Sequence, residues 1–159
     1  MSLKSVTPDA LLDPPSTPSP SLRRADVYAT PPNEILKRGE MFFDNVYGKI
    51  SKRIMGQMER CGTEDLGIVA KLMYGYLLSN TRILSAAETS YVLIAGLVPQ
   101  DVNPQLRGHL KGALSNGATV EEVRATREMA LRICQAVGME ILPAGQLGGF
   151  GWREEVANI

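Results

Sequence analysis

Two helical signals joined by a break of only about three residues constrain this chain more than any other feature. Asn103-Pro104 reads as an N-cap with proline at the first helical position. Leu106, Leu110, Ala113 and Leu114 then repeat at helical spacing until Asn116-Gly117 stops the run. Thr119 with Glu122 is a capping box opening a second run, which carries Val123, Ala130, Ile133, Cys134 and Val137 on its inward face and ends at Gly138. Helices linked so tightly run antiparallel. The stretch from Pro104 to Val137 therefore predicts a central helical hairpin, and it holds the chain's single histidine, His109.

The periodicity elsewhere is also helical. Ile35, Phe42, Phe43 and Val46 fall on one face of a helix that begins near Asn33, and Ile50, Ile54 and Met58 line a shorter one ending near Gly62. Thr63 then reads as an N-cap, with Glu64 and Asp65 in the first turn and Leu66, Val69, Ala70, Met73 and Leu77 as a core stripe. A second capping box, Ser85 with Glu88, precedes the apolar run Tyr91 to Val98. A strand is the rival for that run; the capping box, Ala86-Ala87 and the lack of a partner strand favour a helix buried on nearly every side. The sum is an all-α domain of about six helices.

Residues 1–32 hold seven of the ten prolines and few large apolar side chains, which predicts a disordered tail; residues 33–139 form the helical domain. Residues 140–159 read as a glycine-rich, extended tail whose Phe150 and Trp152 dock on a neighbouring surface. Seventeen basic residues balance seventeen acidic ones, so no net field draws the chain to nucleic acid or an anionic membrane, and a small molecule or a protein is the default partner. The absence of a long apolar run and of a secretory signal leads to the expectation of no membrane and a cytoplasmic location. A mitochondrial presequence is opposed by Asp9, Asp13 and Asp26. Cys61 and Cys134 read as free thiols, and one histidine cannot make a multi-histidine metal site within a subunit, so neither metal nor cofactor is expected.

On a helical wheel His109 falls at the edge of the apolar stripe beside Gln105 and Gly112, while Arg107 and Lys111 point elsewhere. From the pattern alone His109 is either a core-edge histidine or a site residue. Gly108 and Gly112 each cost about 1 kcal/mol relative to alanine inside a helix, so something must approach them: another helix, or a ligand lying on the backbone.

The strings Leu84 to Leu97 and Gln105 to Val123 resemble the carboxymuconolactone decarboxylase family within the broader AhpD-like fold, with further likeness at Arg38-Gly-Glu40, Val46-Tyr-Gly48 and Leu72 to Leu78. Redox members of that family carry a Cys-x-x-Cys pair and a glutamate where this chain has Val102, Gln105 and Ser90, which removes thiol chemistry at the site. The resemblance implies a homo-oligomer, a trimer or hexamer. It also implies a cofactor-free lyase or isomerase acting on a small carboxylic acid or lactone, in the manner of a fungal branch linked to secondary metabolism. His109 would donate or relay a proton, and Gln105 and Ser90 would bind substrate oxygens. The alternative is a non-catalytic oligomeric binding or scaffold protein that kept the fold.

Overall fold

A computed structural model of the chain describes residues 6–12, 14, 17–100 and 102–139. Among these residues every α-helix predicted from Asn33 onward is present and no strand forms, so the fold is all-α. The helices are α1 (Arg23–Tyr28), α2 (Pro32–Tyr47), α3 (Ser51–Met58), α4 (Asp65–Leu72), α5 (Ala86–Leu97), α6 (Asn103–Ser115) and α7 (Val120–Ala136). α4 runs on directly into six residues of π-helix, Met73–Leu78. The expected C-terminal tail, 140–159, lies outside the described residues.

Both capping boxes close as the sequence requires. The Glu88 amide donates to Ser85 Oγ at 3.1 Å and the Ser85 amide donates back to the Glu88 carboxylate at 2.8 Å. The Glu122 amide donates to Thr119 Oγ1 at 3.2 Å, and the Thr119 amide to the Glu122 carboxylate at 2.8 Å. The returning backbone bond holds each glutamate below the usual carboxylate range. α6 and α7 follow each other across a short turn, and α5 packs against both.

Two clusters of buried side chains form the interior. Ile94, Val98, Leu106, Leu110, Ala113, Val123, Ala130 and Leu131 fill the space among α5, α6 and α7. Phe42, Phe43, Val46 and Tyr74 fill that between α2 and the π-helical stretch, where Phe43 and Tyr74 meet edge-on with ring centroids 4.8 Å apart. The closest helix approach is here: a methyl on Gly39 would lie 2.5 Å from the Gly75 nitrogen and 2.6 Å from its Cα.

Two expectations about facing need correction. Leu66, Val69, Met73 and Leu77 are not core; each is more than two-fifths exposed. The helix instead turns its small-residue side inward, burying Gly67, Tyr74 and Gly75, because a glycine face lets the backbone approach α2 and α3 more closely than leucines would. On α7 the inward set is Val123, Ala130, Leu131 and Cys134, an i, i+7, i+8, i+11 pattern that leaves Ile133 and Val137 outside. α5 is covered on most sides but not on one stripe, Glu88, Val92 and Gly96, which is exposed.

The segment expected to be a disordered tail also contains structure. α1 is anchored by the buried carboxylate of Asp26, whose Oδ2 accepts from Arg38 Nη2 at 2.7 Å and from Asn80 Nδ2 at 2.9 Å. The Arg38 bond is the main reason the carboxyl is held below its usual range, with Asn80 adding to it against the opposing effect of burial. Arg38 also donates to Ser79 Oγ and to the Gly75 carbonyl, so one guanidinium ties α1 and α2 to the end of the π-helical stretch. Removing one partner of a buried pair costs about 3–5 kcal/mol if the other stays buried. A six-residue helix avoids that cost by undocking. In Arg38→Met we expect the amides of Asp26 to Tyr28 to exchange with solvent at unprotected rates while those of α5 to α7 keep their protection; retained protection in α1 would refute the anchor.

Candidate functional site

The glycines of α6 decide the surroundings of His109. A methyl on Gly112 would lie 2.7 Å from Val46 Cγ1 and 3.0 Å from the Val46 carbonyl oxygen, and one on Gly108 would lie 3.0 Å from Tyr47 Cε1. Of the two readings of these glycines, it is another helix, α2, that lies against the backbone. This crossing brings the Tyr47 ring over the imidazole, with centroids 5.7 Å apart and planes at 68°, and places Tyr47 Oη 3.2 Å from His109 Nε2. Tyr74, from the π-helical stretch, donates to Tyr47 Oη at 3.4 Å. If the chain runs in one direction, Tyr74 to Tyr47 to His109, then Nε2 accepts and the ring proton sits on Nδ1.

The electrostatics follow from burial. His109 is 8% exposed, and desolvation pulls its pKa down to about 4, so the ring is neutral at pH 7. Burial pushes the hydroxyls of Tyr47 and Tyr74 up, and both stay protonated. The three groups form an uncharged hydrogen-bonded spine between the two interior clusters.

The hydrogen bond of His109 goes to Tyr47, and those of Ser90 go elsewhere. Ser90 is buried on α5, donates to the Ala86 carbonyl at 2.9 Å and accepts from Asn116 Nδ2 at 3.1 Å. Gln105 is exposed on α6. Tyr47 and Tyr74 were missed because nothing in the sequence links positions 62 and 35 residues upstream of the histidine to it.

An open groove of about 680 Å³ lies instead between α2, α3 and α4. Leu36, Phe43, Met55 and Tyr74 contribute its apolar wall. Lys37, Glu40, Asp44 and Lys52 stand among the lining residues, as do Lys71 and Glu59, which pair with each other at 2.5 Å. The sequence signal for it was slight: Lys37, Glu40 and Asp44 share one face of α2 beside the apolar stripe. Among the described residues no group of three or more potential ligands could hold a metal ion, and no helix is long and apolar enough to cross a membrane.

No protein-family model matches the chain, and no solved structure does. Two curated relatives do. Peroxisomal protein 2 of Schizosaccharomyces pombe is 42% identical over 127 residues, covering 80% of this chain and 58% of the relative. Peroxisomal protein 2 of Saccharomyces cerevisiae is 38% identical over 152 residues, covering 86% of this chain and 54% of the relative. The chain thus spans a little over half the length of the curated relatives it matches. These matches correct the resemblance to carboxymuconolactone decarboxylases, and with it the lyase or isomerase function and the link to secondary metabolism. The expected cytoplasmic location is corrected by the same matches: what this chain is similar to, in both yeasts, is a protein named for the peroxisome.

Proposed function

We propose that this chain is the helical part of a peroxisomal protein and that it binds a small amphipathic organic molecule in the groove between α2, α3 and α4. The relatives' names support the location. The groove carries the binding: its volume of about 680 Å³ falls in the range of small-molecule sites, roughly 300–1,000 Å³, which are mostly apolar with a few polar groups that fix orientation. Phe43, Met55 and Tyr74 suit an apolar body, and Lys37 and Lys52 are available to a carboxylate or similar polar end. The spine of Tyr74, Tyr47 and His109 serves this site by fixing Tyr74, which, like Phe43, is shared by groove and interior.

Gly56 lines the groove, and a methyl there would find nothing nearer than Arg60 Nη2 at 3.8 Å, so the position has open space for a side chain to begin, and far-ultraviolet circular dichroism of the variant checks that the fold is kept. Gly56→Phe should weaken binding of dodecanoate, measured calorimetrically on the full chain, by at least about tenfold. Equal affinity in the variant, or no heat of binding in the parent, would refute the groove. The location is tested separately by fluorescent fusions at each terminus. At least one should coincide with a peroxisomal marker, and exclusion of both would refute that part alone.

A further inference from the structure

α7 leaves an apolar strip uncovered. Ala125, Met129, Ile133 and Ala136 repeat along one side of the helix and line a shallow groove of about 540 Å³, with the Glu128–Arg132 ion pair, 2.8 Å, along its edge. Met129 and Ile133 are each 57% exposed. Large apolar side chains at i, i+4 spacing with no cover are an unpartnered helix face rather than scattered surface residues.

The chain's own path offers an occupant for it. α7 ends in a Schellman motif: the Met139 amide donates to the Cys134 carbonyl at 3.0 Å, the Gly138 amide to the Gln135 carbonyl at 3.0 Å, and Gly138 has φ +80°. That motif ends the helix in a sharp change of direction at the end of the strip. Beyond it the sequence supplies Ile141, Leu142, Leu147, Phe150 and Trp152, in a segment with Pro143 and four glycines before Trp152. The strip from Ala136 back to Ala125 is about 16 Å long, and the thirteen residues from Glu140 to Trp152 can span roughly 40 Å. A tether this short holds the segment at millimolar effective concentration over the strip, well above what a second copy would reach in dilute solution.

We propose that the segment from Ile141 to Trp152 folds back along α7 and covers Met129 and Ile133 with its aromatic side chains. The inference is independent of the ligand groove on the other half of the fold. Trp152 is the only tryptophan in the chain, so its fluorescence reports on this segment alone. In the full chain its emission should be blue-shifted from that of the denatured chain and protected from acrylamide, at all protein concentrations. The double variant Met129→Gln, Ile133→Gln should move the emission to the denatured position and raise quenching several-fold, with far-ultraviolet circular dichroism unchanged. Three results would overturn the proposal: a solvent-exposed Trp152 in the parent; an emission unmoved by the double variant or moved instead by Leu66→Gln, Val69→Gln; and a blue shift that disappears on dilution together with a dimeric mass, which would assign the strip to a second copy.

Discussion

Replacing Gly39 by alanine should lower stability by about 3 kcal/mol, although alanine is the better helix former by about 1 kcal/mol. The reason is the nature of the atoms in the way. The new methyl would fall 2.5 Å from the Gly75 nitrogen, 2.6 Å from its Cα and 2.8 Å from the Tyr74 carbonyl carbon, all of them backbone. No rotamer change relieves such a clash, so α2 and the π-helical stretch must separate and Phe42, Phe43 and Tyr74 lose packing. Gly56→Ala is the control, since its methyl meets no atom closer than 3.8 Å and propensity alone should raise stability by up to about 1 kcal/mol. Urea unfolding of both variants measures the contrast. A Gly39→Ala protein as stable as its parent would mean that the two helices do not cross where the structure places them.

The second large effect is on acid stability. His109 has a pKa of about 4 in the folded protein against about 6.5 unfolded, so between those values the unfolded chain binds a proton that the folded chain refuses. Stability is therefore complete above about pH 6.5 and falls as the pH is lowered, by up to about 1.4 kcal/mol per unit, for a total of about 3 kcal/mol near pH 4. Asp26, Glu88 and Glu122 are held below the usual carboxylate range and lose their contribution only at lower pH, which separates their window from that of the histidine. His109→Gln should begin less stable at pH 7 yet show a nearly flat stability between pH 6.5 and 4.5. If the slope survives in that variant, the acid sensitivity arises elsewhere.

What could be read in the sequence were features whose cause is local. Ser85 with Glu88 and Thr119 with Glu122 bind groups three residues away, and both boxes form where the sequence places them. Gly108 and Gly112 announced a close neighbour because glycine in a helix has a known cost, but they could not say that the neighbour was Val46 and Tyr47. The stripe on α4 misled because periodicity identifies an apolar face without identifying which face is covered, and here Gly67 and Gly75 took the inside. The Asp26–Arg38–Asn80 anchor joins positions up to 54 apart, and the π-helical stretch carries no sequence mark recognised beforehand. The strings that suggested a decarboxylase consist largely of helix-forming and helix-ending residues, Ser85 to Glu88 and Asn116 to Glu122, and such residues record how helices start and stop more than what the protein does.

The seam between α2 and α6 has a consequence for how the molecule comes apart. The cluster of α5 to α7 and that of α2 with the π-helical stretch each gather buried apolar side chains, and Val46 on Gly112 together with Tyr47 on His109 is a principal place where they touch. The α2–α6 seam is thus where the two clusters are coupled, and protonation of His109 acts on that seam. Near pH 4, where the imidazole takes up a proton, native-state hydrogen exchange should divide into two opening free energies, one for each side of the seam; a single opening free energy at pH 4 as at pH 7 would refute this coupling.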